Sequence, residues 1–308
     1  MEADGGIRYT KTDKTKEKRM KSNALKTVAV LLAAGFLASA AQAAGKTVTI
    51  KGSDTMVILG QRWAEEYMKA HPGMVIQVTG GGSGTGIAAL INGSTDIAEA
   101  SRPMKPEEKA SVKKKHGKDV AEIPVAQDGL AIYVQQSNPL KTINLAQAKA
   151  IYTGKMTQWD ELGVKLGQII VYGRENNSGT YAYFKEHVLE NQDFAPEVLS
   201  LPGTAAVINA ISKDKSAIGY GGIAYGKGIR ALSVSKDEKG PAVEPTIAHV
   251  LDGSYPISRA LYFYTAGKPD GAKKSFVDWV LGPQGQKICA EVGYYPLTKD
   301  KKAAKKKA

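Results

Sequence analysis

Cysteine is nearly absent from this chain of 308 residues: Cys289 stands alone, so no internal disulfide can form and a hydrophobic core must hold the fold. Its neighbours Ile288 and Ala290 mark it as a small buried hydrophobe. The four histidines, His71, His116, His187 and His249, are scattered without the spacing of metal ligands. The glycine tract at 80–86 lacks the Gly-Lys-Ser/Thr ending of a nucleotide P-loop and the acidic partner of a dinucleotide fingerprint. No serine sits in a Gly-x-Ser-x-Gly elbow. An exported phosphatase or hydrolase using Ser178 or Ser83 as nucleophile is an alternative, but no histidine accompanies either motif. With no evident acid, base and nucleophile set, binding is favoured over catalysis, and no cofactor or metal is expected.

What is present is the composition of a globular protein, 43% hydrophobic and 23% charged with 33 glycines. The net charge of +12 is concentrated at the two ends: 1–43 contribute +4 and 299–308 contribute +5, leaving +3 for the body. The body is therefore only mildly basic, and no nucleic-acid partner is expected. The lysine-rich tail at 299–308 reads as a solvated end.

Residues 1–19 are polar and lysine-rich, and read as a disordered or mis-started extension. Met20 opens an export signal over 20–43: Lys21 and Lys26 form the positive region, 28–40 the apolar region, and Ala41-Gln42-Ala43 the cleavage pattern. The apolar run is too short to span a bilayer comfortably, and no cysteine follows it to carry a lipid. Cleavage after Ala43 and a soluble, periplasmic mature protein beginning at Ala44 are expected.

From Ala44 onward short β-rich runs alternate with helical periodicity. Strands are expected at 47–50, 74–78, 96–100, 169–172, 217–220 and 261–264, with 121–134 long enough to cross between two lobes. Helices are expected at 57–70, from the glycine tract 80–86 through Asn92, and at 106–116, 144–152, 178–189, 205–212 and 273–280, with the segment 284–292 closing the chain. This pattern implies α/β lobes with largely parallel or mixed sheets.

Three strand-to-helix junctions share one chemistry: Gly52-Ser53-Asp54-Thr55, Gly82-Ser83-Gly84-Thr85-Gly86 and Asn177-Ser178-Gly179-Thr180. Each puts hydroxyls and backbone N–H groups at a helix start, where unpaired donors and a partial positive charge suit an anion. Each could also be a simple N-cap. Arg174 stands four residues before Ser178, and an arginine can give an oxyanion two parallel hydrogen bonds.

Seven ordered segments then point to a family: IKGSDTM (50–56), GGGSGTG (80–86), DIAEASRPM (96–104), IYTGKMTQW (151–159), RENNSGT (174–180), YPISRALYFY (255–264) and GYYPL (293–297). Across 46–298 the chain resembles the phosphate-binding component of the bacterial high-affinity phosphate ABC transporter. That resemblance implies a type-II periplasmic-binding-protein fold: α/β, with two lobes and a ligand cleft between them. Lobe 1 would comprise 44–127 and 256–298, and lobe 2 residues 128–255. It implies inorganic phosphate as ligand, a membrane permease as partner, and a monomer. Sulfate or molybdate is the alternative ligand.

The family's ligand positions carry over to Asp54, Thr55, Ser83, Arg174, Ser178, Gly179 and Thr180, with Ser101 and Arg102 at another ligand-facing place. Longer members have an aspartate where Arg102 stands, and there it accepts a hydrogen bond from protonated phosphate. Asp54 could supply that acceptor, or cap the first helix. Arg102 could be a second anion donor, or neutralise Asp54. Asp128 and Arg259 fall at the expected lobe crossings and read as hinge residues rather than ligand contacts.

Overall fold

The computed structural model describes residues 46–297. The expected extension, export signal, cleavage site and lysine tail lie outside them. Strands are β1 (Lys46–Gly52), β2 (Met74–Thr79), β3 (Ile97–Ala100), β4 (Val120–Val134), β5 (Thr142–Asn144), β6 (Ile170–Arg174), β7 (Leu199–Leu201), β8 (Ala217–Gly222), β9 (Arg230–Ala231), β10 (Ser233–Ser235) and β11 (Ser258–Ala266). Helices are α1 (Val57–Ala70), α2 (Ser83–Asn92), α3 (Pro106–His116), α4 (Leu145–Tyr152), α5 (Gly179–His187), α6 (Thr204–Lys213), α7 (Ile247–Leu251), α8 (Gly271–Leu281) and α9 (Pro283–Val292). No helix among the described residues is long and apolar enough to cross a membrane.

One long strand organises the sheet, whose order is β2-β1-β3-β11-β4-β8-β6-β7, with β9 also pairing to β4. The first part of β4 runs antiparallel to β11, ending at Gly129↔Ser258. From Leu130↔Gly222 onward its partner is β8. The change of partner divides the sheet into two halves, each built on parallel strands: β1 with β3, and β6 with both β8 and β7. This is the two-lobed α/β arrangement the resemblance implies. Crossover helices connect the parallel strands, so the C-terminal ends of β1, β3 and β6 are where a ligand can be held.

Each half buries its own core. Val48, Ile50, Leu59, Trp63, Ile97 and Phe263 pack with Phe276 and Val280 in one; Ile132, Val134, Tyr152, Trp159, Phe184 and Tyr220 pack in the other. The two large indoles find polar partners, Trp63 Nε1 donating to the Gly285 carbonyl at 2.7 Å and Trp159 Nε1 to the Ser216 carbonyl at 2.9 Å. Cys289 is fully buried, and burial pushes its thiol up to about 12.

Most expected elements form, with ends shifted by a few residues. The strands β5, β7, β9 and β10 and the helix α7 had no periodic signal, because each is at most five residues long.

Candidate functional site

The three junctions converge. At the end of β1, the Ser53 amide donates to the Glu99 carbonyl at 2.9 Å, which turns the chain into α1. Ser53 Oγ then donates to Ser101 Oγ at 2.9 Å. Ser101 follows β3, and its amide donates to Ser83 Oγ at 3.1 Å. Ser53, Thr55, Ser83, Ser101, Ser178 and Thr180 are all buried. Hydroxyls therefore meet hydroxyls: Ser53 with Ser101, Ser83 with Ser101 at 3.4 Å, and Thr55 with Thr180 at 2.7 Å. An oxyanion among them would exchange neutral hydroxyl pairs for charge-assisted bonds, roughly twice as strong.

Close approach is what the glycines permit. A Cβ on Gly179 would lie 2.3 Å from Ser83 Oγ and 2.7 Å from Ser101 Oγ, so only glycine lets the first turn of α5 reach them. Gly82 has φ +89° and lies against the Asn177 carbonyl, where a Cβ would come within 2.8 Å. The glycine tract and the loop before α5 clasp further. Gly84 N–H donates to the Asn177 carbonyl at 2.9 Å, and Asn177 Nδ2 donates to the Gly81 carbonyl at 3.0 Å and to Thr85 Oγ1 at 3.1 Å.

The capping roles differ among the junctions. Ser178 is a true N-cap of α5, its Oγ accepting from Thr180 N at 3.1 Å and Tyr181 N at 3.3 Å. Ser83 is already inside α2, whose N-cap is Gly82. Asp54 is no cap: the N-cap of α1 is Met56, without a side-chain bond. Instead Asp54 Oδ1 accepts from Gly81 N at 2.8 Å and Oδ2 from Arg174 Nη2 at 2.9 Å. Each carboxylate oxygen retains acceptor capacity beyond these bonds.

Arg174 ends β6 and is 2% exposed. Its Nε donates to Glu175 at 2.8 Å, Nη1 to Thr204 Oγ1 at 2.8 Å and Nη2 to Asp54. Glu175 in turn accepts from Gly203 N at 3.0 Å, tying the arginine to the start of α6. Two carboxylates thus fix the guanidinium in place.

Arg102 does not join this group. It forms a two-pronged pair with Glu108 at 2.8 and 2.7 Å and donates to the Pro103 carbonyl at 2.9 Å. Glu108 also accepts from the Lys105 amide at 2.8 Å, closing the N-terminus of α3. Burial alone would raise the Glu108 carboxyl, but Arg102 and the Lys105 amide hold it below the ordinary carboxylate range. Of the two roles expected for Arg102, neutralising Asp54 is corrected: Glu108, six residues on, takes its charge, and Arg174 partners Asp54.

Arg259 is the residue that the sequence reading undervalued. Its register partner across β11 and β4 is Asp128, and Nε and Nη2 donate to Asp128 Oδ2 at 3.1 and 2.9 Å. The same guanidinium donates to the Ser101 carbonyl and to Thr180 Oγ1, both at 3.0 Å. It is a floor for the cluster as well as part of the crossing. The available signal was one basic residue in the run 258–266 and one acidic residue in the stretch 123–134. Burial pushes the Asp128 carboxyl up against the opposing pull of Arg259. Tyr225 and Tyr294 also escaped notice: their hydroxyls donate to the carbonyls of Asp54 and Thr55.

Glu99 is a further surprise. It lies inside β3 beneath the Asp54 turn, is 0% exposed, and neither carboxylate oxygen has a hydrogen-bond partner among the described residues. Burial first, then the Asp54 charge, pushes it up to about 8. No group of histidine, cysteine and acidic residues able to hold a metal occurs among the described residues.

The model of the PBP superfamily domain matches residues 38–284. The phosphate-binding protein PstS of Pseudomonas aeruginosa is 35% identical over 263 residues, covering 80% of this chain and 81% of its own. A phosphate ABC transporter substrate-binding protein from Clostridium perfringens, solved with bound phosphate, is similar in structure with a TM-score of 0.75 and 31% identity. That match covers 82% of this chain and 100% of that one. An ABC-type phosphate transport receptor from Vibrio cholerae matches with a TM-score of 0.66 and 27% identity, covering 81% and 100%.

Proposed function

The chain belongs to the PstS family of phosphate-binding proteins, and from that membership we propose that it captures inorganic phosphate outside the cytoplasm and delivers it to an ABC permease. The lobes are 44–127 with 256–298, and 128–255, closing on the ligand as a receptor that performs no chemistry. Export follows the signal at 20–43 with cleavage after Ala43, and the receptor acts as a monomer.

The observation that carries this reading is the convergence of hydroxyls from three strand-to-helix junctions around a buried arginine. Phosphate is held by Thr55, Ser83, Ser101, Ser178, Gly179 and Thr180 as donors, with Arg174 as the charged clamp. Asp54 accepts a hydrogen bond from the P–OH of hydrogen phosphate. A fully ionised sulfate has no proton to offer, so the carboxylate repels it.

Titration calorimetry of phosphate, arsenate and sulfate into protein beginning at Ala44, at two pH values, tests the reading. Phosphate and arsenate bind, and sulfate binds about a hundredfold more weakly or less. Sulfate binding as tightly as phosphate, or absence of phosphate binding, overturns it.

A further inference from the structure

Arginine only donates hydrogen bonds, so an oxygen that accepts from it must point its own hydrogen elsewhere. Two hydroxyls of the cluster are under this constraint at once. Arg259 Nη2 donates to Thr180 Oγ1 at 3.0 Å and reaches Thr55 Oγ1 at 3.5 Å, the outer limit of a hydrogen bond. The two oxygens are 2.7 Å apart, so one threonine hydrogen can serve the pair while the other is directed away from the guanidinium.

We propose that Arg259 is a positioning residue that fixes the direction of the Thr55 and Thr180 hydroxyl hydrogens. The floor of the cleft then offers an oxyanion donors only, and any protonated ligand oxygen is turned toward Asp54. This rests on the reading of the cleft as an oxyanion site and deepens it by assigning the two kinds of ligand oxygen to two places.

Arg259 is suited to act through the hydroxyls rather than as the counter-charge of the anion. Its own charge is matched by Asp128, which is 0% exposed and directly opposite in the strand register. Asp128 Oδ1 is held in turn by the Ile223 amide at 3.3 Å. The guanidinium carbon lies 5.3 Å from the Tyr183 ring centroid, and Nη1 is anchored on the Ser101 carbonyl at 3.0 Å. The arginine is therefore immobile, and its donors point where the backbone of β11 puts them. Thr55 follows β1 and Thr180 lies in the first turn of α5, so the two hydroxyls come from opposite halves of the sheet. With one hydrogen bridging the two oxygens, the guanidinium leaves the other as the donor that an oxyanion oxygen receives. A P–OH group on that floor would set its own hydrogen against this one. Asp54, with acceptor capacity on both oxygens, is the place that welcomes it.

A double-mutant cycle in oxyanion affinity tests this. Wild type, Arg259→Lys, Thr180→Val and the double variant are titrated with phosphate, sulfate and molybdate, and their melting is recorded alongside. Lysine keeps the charge and a partner for Asp128 but loses the fork. Arg259→Lys is expected to weaken phosphate about tenfold in the wild-type background and at most about threefold once the Thr180 hydroxyl is gone. Equal losses in both backgrounds overturn the proposal, because Arg259 would then act without Thr180. If the lysine variant does not melt cooperatively, the neutral pair Asp128→Asn with Arg259→Gln replaces it in the cycle, with the same diminished effect expected in the Thr180→Val background and the same result overturning. Wild type that binds none of the three anions overturns the oxyanion reading and this proposal together. Wild type that binds phosphate while the cycle is additive overturns this proposal alone.

Discussion

The cleft contains two buried arginines, and their surroundings divide the work of the site. Arg174 sits at the end of β6 between Asp54 and Glu175, whose side chains are 17% and 27% exposed. Arg259 sits on the crossing strand against Asp128, with 3% and 0% of the two side chains exposed. A carboxylate with partial access to water tolerates loss of its cation; one sealed in the interior does not. In the proposed reading the first arginine therefore serves the anion more than the fold, and the second serves both. Burial of a charge pair in a hinge strand is not evidence of added stability. What the Arg259–Asp128 pair adds is direction, because the guanidinium touches elements from both halves.

The sharpest way to break that contrast is Arg174→Ala. It removes the charged donors and leaves Asp54 and Glu175 facing the ligand, so phosphate affinity should fall about a thousandfold, the worth of two charge-assisted bonds. The melting temperature should move by only a few degrees. Calorimetry and a thermal scan of one preparation read both quantities. A large stability loss would erase the distinction between the two arginines, and retained affinity would take Arg174 out of the site.

Glu99 completes the comparison as a buried carboxyl with no arginine at all. Its carboxyl is pushed up to about 8 by burial and by Asp54. The folded state thus binds this proton more tightly than the unfolded chain, whose carboxyl titrates in the ordinary range. Its contribution to stability is full below about pH 4.5 and is lost as pH rises through about 8, at roughly 1.4 kcal/mol per unit between the two. Glu99→Gln should flatten that fall, and the variant should be more stable than wild type by a few kcal/mol at about pH 9. Urea denaturation at acid, neutral and alkaline pH measures the slope. An unchanged slope in Glu99→Gln would mean that Glu99 is ionised in the fold.

How much of this could be read in the sequence depends on whether the cause was local. The junction at Ser178 is a local device, an N-cap two and three residues ahead of the amides it bonds, and it was legible from the residue types alone. The long apolar run through β4 announced a crossing strand by its length. The opposition of Arg259 to Asp128 needs a strand register spanning more than a hundred residues of chain, and nothing local encodes it. Glu99 was hidden for the same reason: its environment is made by β1, α1 and β11, which the sequence places far apart. Asp54 read as either a ligand acceptor or a cap, and its actual partners, Gly81 and Arg174, lie on other segments.

Arg102 is the subtlest case and carries the smallest expected effect. It stands two residues after β3, one place beyond the buried Ser101, and the family resemblance alone put it beside the ligand. The helix that follows decides otherwise. Glu108 lies in the first turn of α3, where a carboxylate is favoured by the helix dipole and bonded by the Lys105 amide. A guanidinium that can meet both of its oxygens in the planar two-pronged geometry gains more there than at the arginine-occupied carboxylate that follows β1. Arg102→Ala should therefore change phosphate affinity by no more than about twofold, while costing about 1 kcal/mol of stability through the half-buried pair. The same substitution would cost at least tenfold in affinity if Arg102 donated to the anion. One titration thus tells whether the charge at position 102 serves the cleft or only the start of α3.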